Sequence, residues 1–394
     1  MTDATGTTSY SYDSDGQLTQ ATSGTGQAVS YGYDTAGDIT TLTYPNGKTI
    51  TRGYDANGNL TSVTDWNSNT TTFGYDPDGN LASEAYPNGI TAATSYDNDD
   101  QVTAISDTTA SGATLASFAY TRGSNGEPVS ATTTGLSQPD QAYTYNQLSQ
   151  LTNDGTTPYT YNPSGNPATL AATTLTNDAA SQLATSAAGG TTTTYAYNPR
   201  GDRTSAKAGT AATSFGYNQA SQLTKYTPPA GTATTYAYNG DGLRATKTTG
   251  TVTSAYTWDT TAAVPQLLTD GTTSYLYGPG GLPVEQVDSA GNTAYLHQDQ
   301  LGSTRLLTSP AGTITATYSY NAYGSTISHT GTAATPCSTP ASTPTPKPAS
   351  TTCAPATTTP PPPRSSPRTP SPPSPTPPTA TSPTPPSTTP TPPA

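Results

Sequence analysis

Cysteine is missing from the first 336 residues; the only two, Cys337 and Cys353, stand in an unusual C-terminal stretch. Thiol catalysis, Cys-based metal sites and redox relays are thereby excluded from the body of the protein. Histidine is almost as scarce, with only His297 and His329, and no serine–histidine–aspartate signature flanks either one. Basic residues number 13 against 25 acidic ones, and up to residue 335 the balance is 10 against 25, or −15. Nucleic acids and anionic membranes both require clustered Lys and Arg, so neither is an expected partner. Hydrophobic residues make up 30% of the chain and 27 residues are Tyr, which leaves too little Leu, Ile and Val for one large aliphatic core. No run approaches the roughly 18 apolar residues of a membrane span. The N-terminal region shows no basic start followed by an apolar run, so no signal peptide is expected in this chain. Either the protein is cytosolic or the chain has lost its natural N-terminus, and the second is the expectation because Met1 leads directly into repeated units.

What the sequence does hold is a repeat. An aromatic, any residue, Tyr and then Asp or Asn recur, followed by turn residues and Gly-Asn-Leu or a variant. Tyr12-Asp13, Tyr33-Asp34, Tyr54-Asp55, Tyr75-Asp76 and Tyr96-Asp97 follow one another at a constant step of 21 residues. The step loosens through Tyr120, Tyr145 and Tyr161, then returns to about 20 at Tyr197, Tyr217 and Tyr238. Alternating Tyr and Thr favour an extended, half-buried strand. Turns such as Asp55-Ala56-Asn57-Gly58-Asn59 then fold it back, because Asp caps its own turn and Gly accepts positive φ. A second turn, Tyr44-Pro45-Asn46-Gly47, recurs 42 residues later as Tyr86-Pro87-Asn88-Gly89, two repeats on. Each unit is therefore a β-hairpin. One hairpin cannot bury its own face, whereas stacked hairpins share theirs. The expected fold class is all-β, a spiral of some fifteen stacked hairpins.

The motif at this period resembles the RHS/YD-repeat family, which includes bacterial Rhs polymorphic toxins, the shell subunits of insecticidal toxin complexes and teneurins. The most specific match is Tyr295-Leu296-His297-Gln298-Asp299-Gln300-Leu301-Gly302-Ser303-Thr304-Arg305, followed by Tyr318-Ser319-Tyr320-Asn321-Ala322-Tyr323-Gly324. The string from His297 to Arg305 looks like the start of the family's RHS-associated core region. The resemblance covers roughly residues 8 to 334 and implies repeats over 1–260 and the start of the core region over 261–335, while composition alone sets off a tail over 336–394. It also implies a hollow shell around a C-terminal toxin domain, secreted or at the cell surface in the intact protein. Many relatives self-cleave through Asp residues of paired D-P-x-G motifs in the core region, and residues 261–335 hold neither.

The tail is almost entirely Pro, Thr, Ser and Ala, with Lys347, Arg364 and Arg368 as its only charges. It is expected to be disordered, since it has no apolar residues to offset the entropy of ordering. Read in a frame displaced by one base, Thr339 to Pro360 can encode YAGQYTDAETGLYYLRARYYDP, and Ser382 to Ala394 can encode VADSPLNYTDPSG. Such strings belong after the Tyr-x-Tyr-x-x-Tyr-Gly segment of RHS cores. A frameshift near residue 336 is the favoured origin of the tail, ahead of a natural Pro/Thr-rich linker.

No residue carries a catalytic, cofactor or metal assignment. Loops such as Asp76-Pro77-Asp78-Gly79 have too few oxygen ligands at fixed spacing for calcium. His297 replaces a repeat aromatic and is expected to pack in the core, and Asp299 can pair with Arg305. The reading is a non-catalytic shell fragment whose partner is an enclosed effector domain. The alternatives are a glycan-binding surface repeat, through exposed Tyr, and a self-cleaving aspartyl protease core.

Overall fold

The computed structural model describes residues 1–331, so the expectations about the tail, its disorder and its origin lie outside the described residues. Among the described residues the chain runs through 36 strands, with one short 3-10 turn at Pro279–Gly281. Every strand pairs antiparallel with at least one neighbour in sequence, and the pairing breaks after Gly6–Thr7, Gln141–Ala142, Leu151–Asn153 and Val252–Ala255. Thirteen strands, from Ser9–Tyr12 to Gln141–Ala142, form the first sheet. A two-stranded piece, Thr144–Tyr145 with Leu151–Asn153, leads to a middle sheet of 11 strands, Tyr159–Tyr161 to Val252–Ala255. The last sheet has eight strands, from Thr257–Asp259 to Thr326–Thr330.

The hairpin turns follow from one side chain. Asp55 Oδ1 accepts the backbone N–H of Asn57 at 2.8 Å and of Asn59 at 2.9 Å, while the Gly58 N–H closes onto the Asp55 carbonyl at 3.1 Å. Gly58 sits at φ 80°, and the ladder register shifts between Gly53 and Tyr54, the signature of a type I turn with a bulge. Asp13, Asp34 and Asp76 hold their turns in the same way, as do the Asn side chains at 146, 198 and 218. Where the repeat puts Ser68, Asp100, Ser149, Ser181 or Ser221 in place of the glycine, φ is still 55–67°. A side chain there carries left-handed strain. Ser181→Gly is expected to raise stability by about 0.5–1 kcal/mol, read as a higher urea midpoint; an unchanged or lower midpoint would contradict the strain.

The repeat tyrosine links one hairpin to the previous one. Tyr33, Tyr54, Tyr75, Tyr96 and Tyr238 each donate to the carbonyl 15 residues earlier, at Leu18, Ile39, Leu60, Leu81 and Leu223, over 2.8–3.0 Å. That acceptor is the first residue of the preceding return strand. The stack is thus held by nearest-neighbour bonds as well as by the ladder. Tyr75→Phe removes one such bond with little change of shape and is expected to cost about 0.5–1.5 kcal/mol in urea unfolding. A cost of zero would show the bond to be incidental.

The last sheet packs face-on against the first. Val29, Tyr31, Leu42, Ile50, Val63, Phe73 and Ile90 of the first sheet form one buried cluster with Leu268, Leu276, Val284, Val287 and Tyr295 of the last. A second cluster adds Ile105, Ala116 and Phe118 against Leu306. The turn tyrosines mark the stride: Tyr44 donates to the Tyr275 carbonyl at 2.7 Å, and Tyr86 to the Leu296 carbonyl at 2.9 Å. Forty-two residues of the first sheet therefore match 21 of the last. The sequence separation of such partners falls from 231 at Tyr44–Tyr275 through 210 at Tyr86–Leu296 and 190 at Asp107–His297 to 167 at Gln138–Arg305. Concentric arcs give this ratio, because the inner path is the shorter. With strands about 4.8 Å apart and faces about 10 Å apart, radii of roughly 20 and 10 Å satisfy it. Gly278 lies where this packing is tightest, since a Cβ there would sit 2.7 Å from the Val284 side chain and 3.0 Å from Phe73.

Candidate functional site

The chemistry-bearing side chains gather at the seam between these two sheets. At its centre His297, on strand Thr293–Gln298, places Nδ1 2.8 Å from Asp107 Oδ1 and Nε2 2.9 Å from Thr308 Oγ1. Asp107 belongs to the first sheet, His297 and Thr308 to the last. The order of carboxylate, imidazole and hydroxyl is that of a nucleophilic triad. Yet all three residues are at most 1% exposed, and Thr308 Oγ1 also takes the Asn88 side-chain amide at 3.0 Å. The arrangement has no surface opening for a substrate and its hydroxyl is already occupied; it fastens the sheets.

Two more acids join the seam. Glu84 lies beside Tyr86, with its Oε2 3.2 Å from the hydroxyl that donates to Leu296, and faces His297 and Asp107. Burial raises its carboxyl to about 7, the cationic form of His297 opposing and Asp107 reinforcing the rise. Glu285, on strand Pro283–Asp288, meets Asp65, which heads a turn of the first sheet. Both are nearly inaccessible, at 2% and 4% exposure. Burial, the nearby Asp65 charge and their carboxyl–carboxyl hydrogen bond push Glu285 up to about 9. Among the described residues no cluster of three or more His, Cys, Asp or Glu is placed to hold a metal ion.

The string from His297 to Arg305 forms a clamp further along the seam. Asp299 Oδ1 caps its turn by accepting the N–H of Leu301 and of Ser303, and its Oδ2 pairs with Arg305 Nη1 at 3.1 Å. Arg305 also donates through Nε to the Tyr318 carbonyl at 3.1 Å and through Nη2 to Gln138, and its guanidinium lies 4.7 Å from the Phe118 ring centre. Gln300 accepts from Arg122 at 2.6 Å. Gly302 turns at φ 71°, and the Thr304 carbonyl accepts the Tyr320 hydroxyl at 3.1 Å. Leu301 is 68% exposed at the tip.

The repeat tyrosines sit apart from this site. Tyr145 and Tyr197 donate to the carbonyls of Pro128 and Leu183, Tyr217 packs beside Phe215, and Tyr12 is exposed on the edge strand Ser9–Tyr12. Sequence reasoning did not single out Glu84, Asp107, Glu285 or Thr308. A signal existed for the acids: most acidic residues of the body occupy turns, whereas these three interrupt strands.

Comparison with known proteins agrees with this architecture. No curated protein matches the sequence. The fold is similar to a chain of the Photorhabdus luminescens Tc holotoxin pore, with a TM-score of 0.57, 18% identity, and 77% of this chain but 18% of that chain covered. It is also similar to the crystal structure of TcdB2-TccC3, with a TM-score of 0.58, 16% identity, and 82% and 21% of the two chains covered. TcdB2-TccC3 without its hypervariable C-terminal region gives 0.56, 18% identity, and coverage of 77% and 18%. The chain thus spans about a fifth of the length of these solved proteins. Residues 54–91 match the RHS Repeat family, and residues 1–64 and 117–335 match the Teneurin YD-shell. With paired hairpins, tyrosine links and a second sheet lining the first, the chain belongs to the Teneurin YD-shell family and is an RHS/YD shell-type structural protein.

Proposed function

We propose that the chain is a non-catalytic length of shell wall, which in the intact protein surrounds a polypeptide effector and takes part in its delivery outside the cell. The observation that carries this reading is the double-layered seam: the last sheet lines the first through continuous apolar clusters, and the polar residues between them bond to one another. Side chains that could do acid–base chemistry are spent on joining the layers, as the sealed Asp107–His297–Thr308 array illustrates. A wall needs stiffness and sequence-tolerant extension, and nearest-neighbour hairpins supply both.

The test appends an unstructured reporter peptide after Ala394 and follows its cleavage by trypsin. Enclosure predicts cleavage several-fold slower than for the free peptide, lost again when the wall is unfolded in urea. Cleavage at the free-peptide rate while the wall remains folded would reject it.

A further inference from the structure

We propose that the seam between the first and last sheets is a proton-operated lock, closed while Glu285 and Glu84 carry their protons and loosened when they lose them.

Its basis is the placing of acids across a dry boundary. Glu285 enters from the last sheet and Asp65 from the first, both almost wholly buried. Asp65 already receives the backbone N–H groups of Asn67 and Asn69, both at 2.8 Å, and the Asn69 side-chain amide at 2.9 Å. With three donors already on Asp65, the proton between the two carboxyls is assigned to Glu285. Glu285 Oε1 meets no donor among the described residues, as suits a carboxylic acid and not an anion. The other ionisable groups that sense this pair are Tyr295 and Tyr44, neither of them a cation; Arg52, from the first sheet, faces Tyr44. Loss of the Glu285 proton would therefore set two negative charges together in an apolar seam.

The second acid lies one repeat further along. Glu84 faces Asp107 and His297, with Tyr86 beside it and Tyr75 and Tyr96 within electrostatic range. Asp107 Oδ2 also meets no donor among the described residues. Among the described residues His297 alone supplies a potential cation there, and it is already engaged by Asp107 and Thr308.

The sign follows from the direction of the shifts. Both glutamates are raised above their ordinary 4.5, Glu84 to about 7 and Glu285 to about 9. Their contribution is complete at acid pH and is lost as pH rises, first through the Glu84 value and then through that of Glu285. Each group titrating in this window changes the opening equilibrium by about ten-fold per pH unit.

The experiment is hydrogen exchange of the full chain from pH 5 to 9.5, corrected for the intrinsic pH dependence of exchange. Strands Pro283–Asp288 and Thr293–Gln298 are compared with Ala211–Tyr217 and Thr234–Tyr238 of the middle sheet. Opening of the first pair is expected to rise about 100-fold between pH 7 and 9, with the middle sheet little changed. Glu285→Gln should flatten this rise above pH 7, and Glu84→Gln should halve the logarithmic slope below pH 7 to the share of Glu285 alone. If Glu285→Gln does not fold, Asp65→Asn, which keeps a turn-capping oxygen but removes the neighbouring charge, must weaken the same alkaline rise. Seam protection independent of pH in the wild type overturns the lock, as does an alkaline rise that survives the folded Glu variants unchanged.

Discussion

Replacing Arg305 by leucine lowers the stability of the protein by about 3–5 kcal/mol, the cost of leaving buried partners without their charge. Arg305 is 4% exposed and spends its donors on Asp299, the Tyr318 carbonyl and Gln138, with Phe118 beneath its guanidinium. Leucine fills part of the volume but satisfies none of these acceptors. Arg305→Lys keeps the charge and loses the planar fork, so it recovers only part of the loss. Asp299→Asn in the leucine background removes the stranded anion while leaving an oxygen to cap the turn, and should restore at least 1 kcal/mol. Urea unfolding of the full chain, followed by circular dichroism, measures all three. A loss below 1 kcal/mol for Arg305→Leu would mean that the clamp is solvated in solution, and the buried seam described above would not hold.

Much of the fold could be read from the sequence because the repeat writes local rules at a fixed period. Asp55 at a turn head, Gly58 four positions into it and Tyr54 before it each act within one or two neighbouring hairpins, through bonds whose partners lie 15 or fewer residues away. The pairing of Asp299 with Arg305 was legible for the same reason, since six residues separate them across one turn. The seam was not legible. Asp107 and His297 are 190 residues apart, and Tyr44 and Tyr275 are 231 apart. No local rule states that a 42-residue stride in the first sheet meets a 21-residue stride in the last. That match depends on curvature, and curvature is a sum of small twists over many strands. The recurrence of Tyr44 and Tyr86 at twice the repeat did carry the outer stride. Their hydroxyls turn out to cross the seam, whereas those of Tyr54 and Tyr75 stay within the first sheet.

Leu276→Ala tests whether the seam, and not the ladder, supplies most of the cooperativity. Leu276 is fully buried between Tyr275 and Tyr277 on strand Thr273–Tyr277 and belongs to the cluster that joins the last sheet to Leu42, Ile50 and Val63 of the first. Truncation removes its apolar contacts and leaves a cavity between sheets that cannot collapse independently, since each is held in shape by its own ladder of hydrogen bonds. The expected cost is about 2–5 kcal/mol. Leu148→Ala, at a 76% exposed turn, should stay within about 0.5 kcal/mol. The partition of the Leu276→Ala loss is the more telling quantity. A stack of independent hairpins would lose protection only near residue 276, as nearest-neighbour arrays do. Two sheets that fold as one unit would lose it together along strands Thr49–Tyr54, Leu60–Thr64 and Pro283–Asp288, which are distant in sequence and contiguous across the seam. Residue-level hydrogen exchange of the variant distinguishes the two outcomes. The packing of Leu42, Ile50 and Val63 against Leu268, Leu276 and Val284 requires the second.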